Sequence, residues 1–259
     1  MPQSVTVFTA DQAMNFMLEV RRANPVVHCL TNDVVQAFTA NVLLAVGACP
    51  AMVVAEEEAA HFAATADALL INVGTVRPEM ASSMFLAASA ARDHGRPWVL
   101  DPVAVGLLPY RAAVVAKLLP LRPTVIRGNA AEIMSLAGQN ASAKGPDSCE
   151  SSLNALDAAK SLALDQNCIV AVTGECDFIT DGATTYTVQG GHKLLTLLTG
   201  VGCSLSAMTA AFAACSKNRM AAVAAACLMM KNAGELAAVQ KGLGAFASAL
   251  LDQLSFAAS

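Results

Sequence analysis

Short apolar segments alternate with longer helical segments along almost the whole of this chain. Seven short runs have the apolar, β-branched composition of buried strands: 26–30, 51–54, 68–73, 98–100, 124–126, 168–172 and 184–188. Eight longer segments have a helical pattern: 11–22, 34–46, 78–94, 110–119, 130–136, 151–164, 204–215 and from 218 onward. This alternation predicts an α/β fold of three layers, with a mostly parallel central sheet covered by helices on both faces. The 259 residues suit a single domain spanning 1–259, and segment 138–152 has the pattern of a surface loop.

The composition is unusually apolar, because 55% of the residues are hydrophobic and only 14% are charged. A surplus of apolar surface often lies in a subunit interface, so we expect a homo-oligomer. The net charge is −4, and the chain has no basic run that would contact the phosphates of a nucleic acid. The composition therefore argues against nucleic-acid binding.

The sequence predicts neither a membrane protein nor a secreted protein. Polar and turn-forming residues interrupt the two long uncharged stretches, 34–55 and 194–215, so we interpret both as core elements around a site. The N-terminal segment 1–20 lacks the apolar region of a signal peptide. The eight cysteines form no CxxC pair, which favours reduced thiols in a cytoplasmic protein over a disulfide framework or a zinc site.

The run Thr199-Gly200-Val201-Gly202-Cys203 precedes a stretch of small residues that has the pattern of a buried helix. Glycines beside a helix start let the backbone approach a bound group, and the free N–H groups there favour an anion. The same field should lower the pKa of the Cys203 thiol. A glycine-rich turn before a helix that only packs in the core would show the same pattern. The run alone therefore leaves both an anion site and a structural turn open.

Oxygen-bearing side chains after the predicted strands form a candidate Mg²⁺ site. Asn129 and Glu132 are three residues apart at a helix start, and Asp101 follows the strand 98–100. Carboxylate and amide oxygens are the ligands that Mg²⁺ prefers. The spacing of Asn129 and Glu132 also fits a capping box, and an Asp before proline is common in turns. Spacing does not decide between these interpretations.

Arg127 and Thr173 also lie at the ends of predicted strands. A guanidinium that faces a cleft can bind a phosphate through two parallel hydrogen bonds, and a threonine hydroxyl can bind one as well. A surface salt bridge and an ordinary strand-ending threonine are the structural alternatives. The thioether of Met52 would pack well against a sulfur-containing ring, although a plain core methionine has the same pattern.

Six stretches that include these residues occur in a fixed order: 25–33, 41–52, 100–106, 126–132, 171–174 and 199–203. Together they resemble the hydroxyethylthiazole kinase branch of the ribokinase-like small-molecule kinases. The wider kinase family carries Asp at the position of Cys203. A cysteine at this position resembles the motif of the thiazole kinase branch. The resemblance implies a ribokinase-like αβα fold and ATP- and Mg²⁺-dependent phosphorylation of the hydroxyl of 4-methyl-5-(2-hydroxyethyl)thiazole in thiamine salvage.

The resemblance also implies roles for single residues. Gly200, Gly202 and Cys203 would be catalytic, with the transferring phosphoryl group at the glycine turn and the thiol near the acceptor hydroxyl. Arg127 and Thr173 match the ATP-contacting positions. The metal site would comprise Glu132, Asn129 and Asp101.

The acceptor pocket is the last element that the resemblance implies. Met52 and Gly200 match the thiazole-contacting positions, and we place His28 and Asn32, which lie in or just after the first predicted strand, near the same pocket. The resemblance further implies a homotrimer with the acceptor site at subunit contacts, which agrees with the apolar excess.

Other functions stay open at this point. The chain could be another ribokinase-like small-molecule kinase, for example of the hydroxymethylpyrimidine type. It could be a thiol-dependent enzyme with Cys203 as the covalent nucleophile, although the sequence places no histidine beside it as a base. A catalytically silent binding protein of the same fold is disfavoured, because the phosphate and metal positions hold competent residues.

Overall fold

A computed structural model describes residues 5–139, 149–239 and 242–257. The strands of this part of the chain are β1 (Val5–Val7), β2 (Val26–Leu30), β3 (Cys49–Ala51), β4 (Ala68–Asn72), β5 (Trp98–Asp101), β6 (Val125–Asn129), β7 (Ile169–Thr173), β8 (Asp177–Thr180) and β9 (Thr185–Val188). The helices are α1 (Ala10–Ala23), α2 (Gln36–Val46), α3 (Glu56–Thr65), α4 (Pro78–Asp93), α5 (Pro109–Leu118), α6 (Ala130–Leu136), α7 (Cys149–Asn154), α8 (Leu156–Gln166), α9 (Leu194–Leu197), α10 (Val201–Cys215), α11 (Arg219–Ala237) and α12 (Leu243–Phe256).

The described strands form one sheet in the order β1-β9-β8-β7-β6-β5-β4-β2-β3. Only β8 among them runs antiparallel to its neighbours, and every other pair is parallel. The inner strand β4 is buried along its full length, as expected for a parallel strand covered on both faces. The mostly parallel sheet predicted from the sequence is confirmed.

Side chains of the central strands alternate between two hydrophobic layers. Leu70 of β4 packs into the layer that contains α1, α2, α10, α11 and α12. Its neighbours Leu69 and Ile71 pack into the other layer, which contains α3, α4, α5, α6 and α8. The same alternation separates Val99 from Leu100 in β5. This period of two confirms the predicted αβα arrangement of three layers.

Local sequence signals account for several helix ends. Helix α4 begins with Pro78 in its first turn, where the missing N–H has no helical partner to lose, and it carries Glu79 there and Arg92 in its last turn. Helix α2 ends at Gly47, whose φ of 89° is a left-handed conformation that glycine adopts without strain.

Some elements were not predicted. Strand β1 is a three-residue exposed edge strand, and β8 and α9 have only four residues each, so their periodicity is too short to recognise. Helix α3 was missed although its first turn holds three successive glutamates, which stabilise a helix start. The predicted helix 151–164 is two helices, α7 and α8. Most of the predicted loop 138–152 lies outside the described residues.

Two expectations about membranes and thiols can be compared with the described residues. No helix there is both long and apolar enough to cross a bilayer. The free thiols are Cys29, Cys49, Cys168, Cys203, Cys215 and Cys227. Cys176 is disulfide-bonded, so the prediction of reduced thiols is wrong at that position. The missing CxxC pair excludes only a short-range motif, whereas a disulfide depends on proximity in the fold.

Candidate active site

The carboxyl ends of four neighbouring strands bring polar side chains to one edge of the sheet. Asn72 ends β4, Asp101 ends β5, Asn129 ends β6 and Thr173 ends β7. The N-terminus of α10 helps to line a cleft of about 380 Å³ at this edge, where ligands of parallel α/β sheets usually bind. The cleft gathers eight of the predicted site residues: Asp101, Arg127, Asn129, Glu132, Thr173, Gly200, Gly202 and Cys203.

Two glycines shape the start of α10 at the cleft. Gly200 caps the helix with a φ of 97°, and a Cβ at this position would lie 3.1 Å from Cγ1 of Val35. A Cβ on Gly202 would lie 3.0 Å from Nη1 of Arg127. The absence of side chains therefore lets the guanidinium lie against the first turn of α10. The N–H groups of that turn lack partners within the helix, so the helix start and the guanidinium together favour an anion.

Arg127 is held between two polar groups inside the cleft. Its side chain is 12% exposed, and Nη1 lies 3.9 Å from Oδ2 of Asp101. Nη2 donates a hydrogen bond to Oγ1 of Thr173. Nε is buried without a partner in the described part of the chain. The ion pair is thus a buried one rather than the surface salt bridge considered from the sequence, and the guanidinium keeps donors for a bound anion.

Asp101 and Glu132 are buried carboxyl groups on the same side of the cleft. Oδ2 of Asp101 accepts hydrogen bonds from Asn72 (2.7 Å) and from Ser206 (2.8 Å). Burial raises the pKa of Asp101, and the Arg127 guanidinium opposes this shift. Burial also raises the pKa of Glu132, and the nearby charge of Asp101 raises it further. Two neighbouring carboxylates with raised pKa values form a place where a cation would be stabilised.

The capping box that the sequence left open is present at the start of α6. Oδ1 of Asn129 accepts from the N–H of Glu132, and Oε2 of Glu132 accepts from the N–H of Asn129, both at 2.9 Å. Oε1 of Glu132 accepts from the N–H of Ala104 at 2.9 Å. These bonds fix the Glu132 carboxylate beside the cleft, and each oxygen keeps acceptor capacity. Capping and metal binding are therefore compatible.

The donor set fits Mg²⁺ held mainly by its substrate. Mg²⁺ usually binds through one or two carboxylates plus the phosphates of a nucleotide, and it retains several waters. Asp101 and Glu132 supply two carboxylates at the cleft. The described residues contain no group of three or more His, Cys, Asp or Glu side chains that could hold a metal by themselves.

The pKa of the Cys203 thiol differs from the prediction. Burial raises it to about 11, and the charge of Asp101 raises it further, while hydrogen bonds from Asn72 and Asn32 and the charge of Arg127 act in the opposite direction. The predicted lowering of this pKa is wrong, because desolvation and a neighbouring carboxylate outweigh the field of the helix start. The thiol is therefore protonated at neutral pH.

A chain of amides connects Cys203 with Asp101. Nδ2 of Asn32 lies 3.4 Å from Sγ of Cys203 and donates to Oδ1 of Asn72 at 3.0 Å. Nδ2 of Asn72 then donates to Asp101. Asn32, predicted near the acceptor pocket, thus contacts the cleft through Cys203, although it is not part of the lining.

The structure does not bring Met52 or His28 to this cleft. Met52 is half-buried and packs against the hydrophobic layer of α1 and α2. His28 is fully buried, with Nε2 at 2.7 Å from the carbonyl oxygen of Val53 and the ring edge-on to Phe62. Burial lowers the pKa of His28. These contacts are those of a core histidine.

Sequence reasoning missed several residues that the structure places at the cleft. Lys231 and Asp177 line it as a buried pair, with Nζ at 3.3 Å from Oδ1. Burial raises the pKa of Asp177 to about 6, although the charge of Lys231 opposes this. One sequence signal that could have identified Lys231 is its position as a single lysine at the end of the long apolar run of α11. Asn72 carries a signal of its own, as an amide at the end of a fully buried strand.

Sequence comparison gives one family over nearly the whole chain. The sequence model of the "Hydroxyethylthiazole kinase family" matches residues 17–258. A hydroxyethylthiazole kinase from Klebsiella pneumoniae (strain 342) is 55% identical over 235 residues, which cover 91% of each chain. A hydroxyethylthiazole kinase from Pectobacterium carotovorum subsp. carotovorum (strain PC1) is 52% identical over 248 residues, covering 95% of this chain and 94% of the relative.

Structural comparison agrees. The hydroxyethylthiazole kinase protein of Pyrococcus horikoshii OT3 superposes with a TM-score of 0.86 at 36% identity, covering 95% of this chain and 93% of that one. A ribokinase-like superfamily protein from Enterococcus faecalis V583 superposes with a TM-score of 0.69 at 12% identity, covering 98% and 96%. The second likeness concerns the fold alone.

Proposed function

The chain belongs to the hydroxyethylthiazole kinase family, and we propose that it transfers the terminal phosphoryl group of ATP to the primary alcohol of 4-methyl-5-(2-hydroxyethyl)thiazole in thiamine salvage. The observation that carries the proposal is the glycine-bounded start of α10 with the Arg127 guanidinium against its first turn at the cleft. Kinase catalysis is mostly positioning and charge stabilisation, so a fixed cation beside a helix start is the arrangement that such a reaction needs. We place the reaction in one domain and in the cytoplasm, where ATP is available.

Arg127 and Thr173 bind the ATP phosphates in this proposal. Arg127 lies in β6, two residues before the strand ends, and Thr173 ends the adjacent strand β7. The two side chains are hydrogen-bonded to each other, so their relative position is set before ATP arrives. The first turn of α10, at Gly200 and Gly202, receives the phosphoryl group during transfer. Its backbone N–H groups and the guanidinium offset the charge that the transferring group carries.

Asp101 and Glu132 would hold Mg²⁺ together with the ATP phosphates, and Asn129 would orient Glu132 through the capping box. When bound, Mg²⁺ would neutralise phosphate charge in the nucleotide. Ser206 and Asn72 fix the orientation of Asp101 through their hydrogen bonds, whether or not a cation is present.

Cys203 lies next to the acceptor hydroxyl in this proposal and acts as a neutral positioning group. Its thiol is protonated, so it can donate a hydrogen bond or accept one from Asn32. A loose phosphoryl-transfer transition state needs little deprotonation of the alcohol before attack. The thiazole ring would lie beyond Cys203 against Gly200, the one of the two matching acceptor positions that lines this cleft. A covalent thiol mechanism is disfavoured, since a raised pKa leaves little thiolate.

Changing Glu132 to glutamine is expected to lower kcat by about tenfold or more, because a charge that helps to hold Mg²⁺ is lost. The oxygen of glutamine can accept from the N–H of Asn129 and so keep the helix start, whereas its amide nitrogen faces the N–H of Ala104 and loses that bond. If capping were the only role, the variant would lose about 1 kcal/mol of stability and turn over normally. Kinetics and thermal melting of this variant, beside the exposed control Glu57→Gln, separate the two outcomes.

We also propose that the chain assembles into a homotrimer with the acceptor site at subunit contacts. Large apolar side chains are exposed, including Leu107 at 80% and Val34 at 68% exposure, and a monomer would leave them in water. Val34 precedes Val35, whose side chain lies beside Gly200. A neighbouring subunit that covers Val34 would therefore help to enclose the acceptor. Light scattering at micromolar concentration should give three times the 26.6 kDa of the chain, and a monomer would refute the proposal.

Calorimetric titration tests the proposed function most economically. ATP–Mg²⁺ and the thiazole alcohol should each bind, and ADP should form when both are present. Binding without ADP formation would indicate a silent member of the fold. Turnover without ATP that alkylation abolishes would indicate a thiol enzyme. Turnover of a pyrimidine or sugar alcohol instead of the thiazole would overturn the substrate and leave the kinase.

A further inference from the structure

Lys231 is a buried lysine within α11, at the end of an apolar stretch of a helix that borders the cleft. The residue is 6% exposed, and its neighbours along α11 are buried alanines, methionines and Cys227. Lysine is almost never buried at this level unless its ammonium group is paired. The position therefore needs a set of partners that compensates for the loss of water.

The partners of Lys231 come from two separate loops. Nζ donates to the carbonyl oxygens of Gly174 and Glu175 at 2.8 Å each, and to that of Gly190 at 3.2 Å. These three acceptors use the three N–H groups of the ammonium. Nζ also lies 3.3 Å from the carboxylate of Asp177. One side chain thus joins the loop between β7 and β8 to the segment that follows β9.

The pair formed by Lys231 and Asp177 holds both polar backbone groups of Gly174. Oδ1 of Asp177 accepts from the N–H of Gly174 at 2.9 Å, and Lys231 donates to its carbonyl oxygen. Gly174 directly follows Thr173, whose hydroxyl accepts from Arg127. The backbone that this pair holds is therefore directly continuous with the residue whose hydroxyl is proposed to bind ATP.

We propose that Lys231, with Asp177, is a positioning residue for the nucleotide: it clamps the loop after β7, which reaches the cleft at Gly174, to the segment after β9, and so sets the position of Thr173 toward ATP. The ammonium itself does not bind phosphate, because its three N–H groups are committed to carbonyl oxygens. The inference rests on the proposed function, since it assigns a role in ATP binding. The inference concerns only the nucleotide side of the cleft. The described partners of Lys231 do not include Cys203 or Asn32, which lie on the acceptor side.

The test compares Lys231→Met with a matched control, Lys217→Met, which removes an exposed lysine between α10 and α11. ATP–Mg²⁺ affinity is measured by calorimetry, and KM for the thiazole alcohol by steady-state kinetics. Lys231→Met should weaken ATP binding by about 10- to 100-fold, the effect of displaced positioning groups, and change KM for the alcohol by less than about twofold. Lys217→Met should leave both unchanged.

Loss of Lys231 alone leaves Asp177 buried without its cation, which endangers folding. The double variant Lys231→Met with Asp177→Asn removes both charges, and it should show the same loss of ATP affinity with a native melting transition. Wild-type ATP affinity in a folded variant would overturn the inference. Equal losses for ATP and the alcohol, or failure of both variants to fold, would show a purely structural pair and overturn it as well. If the wild-type protein does not bind ATP, the proposed function fails first, and the inference fails with it.

Discussion

Replacing Arg127 with methionine is expected to lower kcat by about 100- to 1,000-fold, the usual cost of removing a preorganised group that stabilises transition-state charge. The guanidinium lies against the first turn of α10 and between Asp101 and Thr173. Methionine has a similar length and no charge, so the cleft keeps its shape. Asp101 can take up a proton when its cation is lost, because burial already raises its pKa. The variant should therefore fold.

Two further variants make the Arg127 experiment specific. Arg127→Lys keeps the charge but loses the planar fork, so it should recover only part of the rate. Arg22→Met removes an exposed arginine of α1 and should have no effect. Steady-state kinetics and thermal melting are measured for all three. A folded Arg127→Met protein with a normal rate would show that the buried ion pair has only a structural role.

Replacing Cys203 with alanine is expected to lower kcat by about a hundredfold without abolishing turnover, because the acceptor hydroxyl loses the group that positions it. Replacement with aspartate should keep or increase activity, because a carboxylate can accept a hydrogen bond from the acceptor hydroxyl and ionises at a lower pH than a thiol whose pKa is about 11. The amides of Asn32 and Asn72 can donate to that carboxylate, although Asp101 nearby will raise its pKa.

The two Cys203 variants together distinguish three roles for this residue. A positioning or weakly basic thiol gives a slow alanine variant and an active aspartate variant. A small residue that only fills the helix start gives a normal alanine variant and a poorly folding aspartate variant. A covalent nucleophile gives no turnover in either. Measured rates and melting temperatures decide, and a folded but inactive Cys203→Asp protein would contradict the role assigned here.

The sequence predicted the general position of the site because strand ends follow a simple rule. Asp101, Arg127 and Thr173 were predicted at the ends of separate strands, and parallel strands place their carboxyl ends at one edge. Gly200 and Gly202 were predicted at a helix start because glycines are typical of the turn that precedes a helix. The cleft gathers all of them, although their roles remain proposals.

Environment-dependent properties could not be predicted in the same way. The pKa of Cys203 depends on burial and on Asp101, which is about a hundred positions away in the sequence, whereas the helix-start rule considers only local residues. The partners of Lys231 belong to loops around Gly174 and Gly190, and periodicity carries no information about such contacts. The roles of Asn129 and Glu132 could not be decided from the sequence, because the same spacing fits a capping box and a pair of side chains beside the cleft.

Direct identification of the product tests the central claim. The purified protein is incubated with ATP, Mg²⁺ and 4-methyl-5-(2-hydroxyethyl)thiazole, and the products are separated and analysed by mass spectrometry and phosphorus NMR. We expect one ADP for each thiazole monophosphate, with the phosphate on the side-chain hydroxyl. ATP consumption without thiazole phosphate, or no consumption by a folded protein that binds both substrates, would contradict the account.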